Sequence, residues 1–276
     1  MDAEPKGLPI STYREFPPPP ALAGHVLCVW SQVIGDGGSW YRHRVLPDGC
    51  ADVVWIGEAP PVVAGPATGP VVVPLAPRTL VVGIRLRPGA VHGALGVPAS
   101  GLTNRDTSLA DIWGAAAGPS AARVIDQPSV PARLAAAEAA LAVRIANADP
   151  PDPLIVAATH WLARHPEGRI EDLARVMDVG ARRLHRRFTA AVGYGPKIFQ
   201  RVLRLQRALR LAGGIARPRA SLGLAMIAAA AGYADQAHMS RELRALTGRS
   251  PGALLPGCMS TLEMSDLFKT AAPPPG

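Results

Sequence analysis

Between residues 25 and 86 the apolar positions come in short bursts, each cut off by proline or glycine: HVLCVWSQVI (25–34), YRHRVL (41–46), ADVVWIG (51–57), PVVVPL (70–75) and TLVVGIRL (79–86). Runs of this length, rich in Val and Ile and closed by turn residues, predict the strands of a small sheet or barrel. PDG at 47–49 separates two of them and suits a hairpin turn, with proline presetting φ and glycine accepting a positive one. Asp48 and Gly49 therefore read as turn residues. FPPPP at 16–20 predicts an extended entry segment, since a proline run cannot be helical.

From about Pro98 the period lengthens. SLADIWGAA (108–116) and VPARLAAAEAALAVRIANA (130–148) are rich in Ala and Leu, and Leu134, Ala137, Leu141, Arg144 and Ile145 follow helical offsets. NADPPDP (147–153) cannot continue a helix through its three prolines, which predicts a linker and a domain boundary near residue 150. Beyond it every segment has helical spacing: PLIVAATHWLARHP (153–166), RIEDLARVM (169–177), ARRLHRRFTAAV (181–192), PKIFQRVLRLQRALRLA (196–212), LGLAMIAAAAGY (222–233) and DQAHMSRELRALT (235–247). The order is helix, pair, long helix, pair. The tail, residues 257–276, ends in prolines and is expected to be disordered, with no assigned role.

The two pairs carry one pattern twice. Leu184, Phe188, Gly193 and Pro196 become Met239, Leu243, Gly248 and Pro251 at a constant shift of 55. Two copies mean two helix-turn-helix units rather than a solenoid, which needs at least three. On the second helix of the first unit, Leu184, Phe188 and Val192 form one apolar stripe, while Arg182, His185, Arg186 and Thr189 form a polar one. In the second unit Met239, Leu243 and Leu246 face inward, and Gln236, Ala237, His238 and Arg241 face out. Arginine forks onto the two acceptors of guanine and glutamine pairs with adenine, so these outward residues are the candidates for DNA base contacts. Arg187, Ser240, Arg244 and Arg249 suit phosphate contacts. One arginine-rich helix is ordinarily a solvated face, but a tight-turn pair found twice, each with a basic second helix, is poorly explained by solubility. Gly193 and Gly248 read as helix C-caps, which any such pair needs. Residues 196–212 span roughly 25 Å as a helix, enough with flanking packing to set two recognition helices about one turn of B-DNA apart, about 34 Å.

Charge sharpens this division. The chain has 276 residues and a net charge of +8. Residues 1–150 hold 11 Lys and Arg against 12 Asp and Glu, whereas residues 151–276 hold 18 against 9. The basic half should meet a polyanion. Cys28, Cys50 and Cys258 form no CxxC or Cys/His cluster, so no metal site is indicated, and a sparse odd set fits a reducing cytosol. The N-terminus shows no signal segment and no stretch reaches 18 apolar residues, so a cytoplasmic protein with no membrane partner is expected.

The segments LARVMDVGARRLHRRFTAAVGYGPKIFQRVLRLQRAL and IAAAAGYADQAHMSRELRALTGRSPGALL resemble the C-terminal DNA-binding domain of AraC/XylS-type transcription regulators over about residues 154–255. The resemblance implies base contacts from the third and sixth helices of that domain, matching Arg182, His185, Arg186, Gln236, Ala237, His238 and Arg241. Gly180 departs from the usual serine N-cap, and Glu242-Leu243 from the commoner aromatic end of the motif. LPDGCADVVW (46–55) and GIRLRPGAVHGALGVPASGLTNR (83–105) are similar, more weakly, to the β-rich sensor domains of one subgroup. That implies a cupin-like barrel and sometimes a helical dimerisation segment, for which residues 131–147 are the candidate, the alternative being that this helix merely covers the barrel. The expected fold class is thus α+β in two domains: a small cupin-like β-barrel with covering helices over 1–150, and an all-α domain of two helix-turn-helix units joined by a long helix over 151–256.

The front half offers little catalysis. A cupin enzyme holds iron or manganese with an HxH pair and a later Glu, but His43 stands between Arg42 and Arg44, and the spacing of His25, His43, His92 and Glu58 allows them to converge in space without demanding it. A methyl-accepting DNA-repair domain needs four zinc-binding cysteines, and three scattered ones do not supply it. A ligand pocket is the better reading: Trp30, Trp40 and Trp55 lie on or beside predicted strands, and Arg42, Arg44 or Arg85 would orient an anionic or polar effector. A tryptophan in a small barrel is as readily plain core. No cofactor and no enzymatic activity are expected. The partners are double-stranded DNA, a small-molecule effector, a second copy of the chain, and RNA polymerase where regulation is activating. The rival reading is a cupin-type enzyme or small-molecule-binding protein whose basic tail holds nucleic acid without sequence preference.

Overall fold

The computed structural model describes residues 11–213 and 223–254, so the tail at 257–276 lies outside the described residues. Among the described residues the β half holds eight strands: β1 (Ser11–Phe16), β2 (Val26–Ile34), β3 (Tyr41–Val45), β4 (Ala51–Ile56), β5 (Val62–Ala64), β6 (Val71–Leu75), β7 (Leu80–Leu86) and β8 (Asp106–Ser108). Six of them form an antiparallel sheet in the order β1-β2-β7-β4-β5-β8, and β3 pairs with β6. The five sequence-predicted strands are all present. The barrel is not: among the described residues the large sheet ends at β1 and β8, and β3 and β6 lie apart from it as a second sheet.

The predicted hairpin at PDG is also corrected. β3 and β4 do not pair, and the turn instead carries the chain from the small sheet to the large one. Gly49 holds the positive φ such a turn needs, +88, but turn residues do not specify which strands they join. That is decided by which faces need covering.

Both faces of the large sheet are covered at its centre, which is why β2, β4 and β7 are apolar almost throughout. Alternation assigns each residue to a side. Val53, Trp55, Val82, Ile84 and Leu86 meet the helices, whereas Cys28, Trp30, Val54 and Val81 meet the small sheet. A register shift between Val26 and Cys28 lets Val26 and Val29 share the helical side. The helical cover is α1 (Val91–Leu95), α2 (Leu109–Trp113), α3 (Ala117–Ile125) and α4 (Val130–Ile145). Helix α4 starts at a Ser129 cap and buries Leu134, Ala137, Leu141 and Ile145, the stripe read from the sequence. Arg144 turns outward over the Trp113 ring at 5.3 Å.

The second half is α5 (Pro153–Arg164), α6 (Ile170–Val176), α7 (Ala181–Val192), α8 (Pro196–Gly213), α9 (Leu224–Ala231), α10 (Gln236–Thr247) and α11 (Pro251–Leu254). Its core is built from Leu162, Leu173, Leu184, Phe188, Phe199, Leu205, Ile227, Met239 and Leu243, joined by Leu46 from the β half. The seam between the halves is specific. Gln206 Nε2 on α8 donates to the Pro47 carbonyl at 2.7 Å, and Thr103 Oγ1 donates to the Gly193 carbonyl at 2.8 Å. The Phe199 ring fills the space beside Gly49, where a Cβ would stand 2.7 Å from Cε2.

Candidate nucleic-acid interface

The shift of 55 holds in three dimensions. Leu184, Phe188, Met239 and Leu243 are all fully buried, and both recognition helices end on a left-handed glycine, Gly193 at φ 104 and Gly248 at φ 70. Burying that stripe pushes the remaining positions into solvent. On α7, Arg182, Arg183, His185 and Arg186 are exposed, and α10 exposes Gln236, Ala237, Arg241 and Arg244. Helical spacing thus presents two cationic faces without any special loop.

The caps differ. Gly180 opens α7 with no side-chain cap, whereas the Asp235 carboxylate accepts from the His238 amide at 2.6 Å to open α10. Turn residue Asp178 holds a left-handed φ of 48, which a short polar side chain tolerates.

Some candidate contacts are engaged within the protein. Arg187 is paired with Asp152, Nη2 to Oδ2 at 2.7 Å, and Asp152 also caps α5 by accepting from the Leu154 amide. The His238 ring stands edge-on to Tyr233 at 5.4 Å, its Nδ1 accepting from the Ala234 amide and its Nε2 lying 3.3 Å from Glu242. The His185 ring lies over Gly195, where a Cβ would come within 2.5 Å of it. The Ser240 hydroxyl donates to the Gln236 carbonyl at 2.8 Å, and the Arg249 amide donates to Thr247 Oγ1. Arg182, Arg186, Gln236 and Arg241 stand exposed. A shallow groove of about 390 Å³ lined by Ser240, Arg241, Arg244 and Ala245 runs along α10.

Residues 173–256 match the family of the helix-turn-helix domain, and residues 14–108 match a domain of unknown function (DUF6597). The C-terminal region is an AraC-type helix-turn-helix domain. The chain is a DNA-binding protein of the transcription-regulating kind. No curated protein matches it. The AraC-type match begins at Leu173 on α6, so it takes in both helix pairs and the α8 that joins them.

In the domain preceding the AraC-type one, the candidate ligand residues do not come together. Trp30 and Arg85 share the side beneath the small sheet, Trp55 is buried on the opposite side among the helices, Trp40 is 65% exposed, and Arg42 is exposed on β3. Arg85 is not the open guanidinium that would orient an anion. It is fully buried and meets Glu15 at 2.9 Å, Asp52 at 3.2 Å and Asp48 at 3.4 Å. Burial alone would weaken its charge, yet the carboxylates, Asp52 foremost, hold it well above the ordinary arginine range. Burial outweighs the opposing pull of Arg85 and raises the Glu15 carboxyl. The Trp30 indole donates to Asp52 at 2.6 Å, and the Tyr13 hydroxyl donates to Glu15 at 2.7 Å. Tyr13 and Glu15 were missed because β1 is a short strand beside a proline run, with too few Val or Ile to register; the alternation of Asp52 with Val53 was the available signal for that carboxylate.

Proposed function

We propose that this chain is a sequence-specific transcription regulator of the AraC type, acting in the cytoplasm, whose two units read successive major-groove segments of one operator. Base contacts are assigned to Arg182, His185, Arg186, Gln236, Ala237, His238 and Arg241, and phosphate contacts to Arg187, Ser240, Arg244 and Arg249. The observation that carries the reading is the doubled recognition helix, each copy with the same buried stripe and an outward cationic face. Residues 1–150 act as the regulatory domain, taking a small molecule or a second copy of the chain, and residues 151–256 as the DNA-reading domain. In support, the seam runs from the turn holding Asp48 directly into α8, so a change around Arg85 has a short mechanical route to the DNA-reading helices. Where regulation is activating, RNA polymerase is the further partner.

The test is selection of genomic fragments by the full chain at near-physiological salt, followed by Arg186→Ala and Gln236→Ala on the recovered site. A bipartite motif, with each substitution losing about 1–3 kcal/mol on that site and relaxing preference at one position, is the expected result. Binding without a motif that falls steeply with salt would refute it in favour of nonspecific attachment.

A further inference from the structure

Two recognition helices can read one operator only if their separation and angle are held, and helix α8 alone does not hold them. It fixes an axis, but the roll of each pair about that axis depends on side chains. Gln200 and Arg204 lie one turn apart on α8, both buried. Gln200 Nε2 donates to the Gly168 carbonyl at 2.6 Å, and Arg204 Nη1 donates to the Pro166 carbonyl at 3.1 Å, so both grip the α5–α6 corner that belongs to the first unit.

The rest of the Arg204 guanidinium grips the second unit. Its Nη2 donates to both carboxylate oxygens of Glu242 on α10, at 2.6 and 2.8 Å, and its Nε donates to one of them at 3.2 Å. Glu242 also faces Arg201 at 3.3 Å and His238 at 3.3 Å. The guanidinium lies 5.3 Å over the Tyr233 ring, and Pro166 occupies the place where Gly232 lacks a side chain. One planar cation thus connects the corner of the first unit, the linker helix and the recognition helix of the second. A forked pair has a fixed geometry that a point charge lacks.

We propose that Arg204 and Glu242 are positioning residues that set the relative placement of the two recognition helices, and through it the spacing of operator halves the protein accepts. The inference rests on both units reading bases. It also gives a role to Glu242, the neighbour of Leu243: at the corresponding place in the first unit stands Arg187, which grips Asp152 instead.

Breaking the pair by one substitution strands a buried charge and risks unfolding, whereas replacing both partners by apolar residues leaves a fold that is often as stable. The double variant Arg204→Met with Glu242→Leu is therefore the main probe, and Arg204→Lys, which keeps charge but loses the fork, is the second. Spin labels at Ala190→Cys on α7 and Ala245→Cys on α10, both exposed, with Cys258→Ser as background, report the distance between the helices in the free protein. The expected result is a narrow distribution in the parent and a broad one in either variant, at a retained melting temperature for the double variant. On DNA, one inserted base pair turns the second half-site by about 35°. The parent should lose at least about tenfold in affinity and the variants under about threefold. Equal distribution widths in parent and variants, or an unchanged insertion penalty on a bipartite site, overturns the proposal. A parent that selects no bipartite site refutes the two-unit reading, and the distance measurement then still decides whether the pair holds the helices.

Discussion

The seam between the halves makes a quantitative demand at Gly49. Alanine there meets two obstacles. The backbone sits at φ +88, where an L side chain costs about 1–2 kcal/mol. The new Cβ would also stand 2.7 Å from Cε2 of Phe199. That ring is only 2% exposed and packs edge-on to Phe188 at 5.5 Å, so it cannot swing into solvent. Overpacking of this kind costs about 1–3 kcal/mol, which brings the total to about 2–5 kcal/mol. Gly38 supplies the matched control, since its φ is +70 but nothing lies within 4 Å of a Cβ there. Gly38→Ala should cost the strain alone, about 1–2 kcal/mol. Urea unfolding followed by circular dichroism and by tryptophan fluorescence measures both. The excess of Gly49→Ala over Gly38→Ala isolates the Phe199 contact. Losses equal within about 0.5 kcal/mol would mean that the β half does not press on α8 as described, and the mechanical route from Arg85 to the DNA-reading helices would go with it.

Other substitutions test other joints. Asp152→Ala removes the α5 cap, costing about 1 kcal/mol, and frees Arg187 from its ion pair; DNA affinity should become more salt-sensitive, the slope of log K against log salt steepening by about 1. An unchanged slope would show that Arg187 stays off the phosphates. Burial pushes the Cys28 thiol up to about 12 and the Cys50 thiol well above its ordinary value, so neither should react with a thiol reagent at pH 8 until the protein is unfolded. Rapid labelling of either in the native state would contradict its burial. The raised Glu15 carboxyl favours the protonated folded state. Its contribution is present below the ordinary glutamate value and is lost as pH rises through the raised one. A pH-stability profile should therefore lose that decline in Glu15→Gln, and identical profiles would refute the assignment.

Helix periodicity needed nothing beyond neighbouring residues, which is why α4, α7 and α10 were legible with their buried faces: offsets of three and four residues place side chains on one side whatever lies opposite. The doubled unit was legible for the same reason, since each copy carries its own stripe, glycine cap and proline. The strands at 26–34, 51–56 and 80–86 were legible as strands, but not their partners, because pairing joins residues far apart in the chain. So the PDG turn looked like a hairpin yet bridges two sheets, and the expected barrel stayed open once β3 and β6 paired with each other. Arg85 shows the limit at one residue. By sequence it is one of three arginines that would orient an anionic or polar ligand, and only the sheet order β1-β2-β7-β4, with the turn before β4, brings Glu15, Asp48 and Asp52 to it. The same holds for Arg204, one arginine among many on a basic helix, whose burial between the α5–α6 corner and α10 exists only in the packed domain. A buried charge is stable only beside its counter-charge, and that counter-charge is a property of tertiary contact rather than of local pattern.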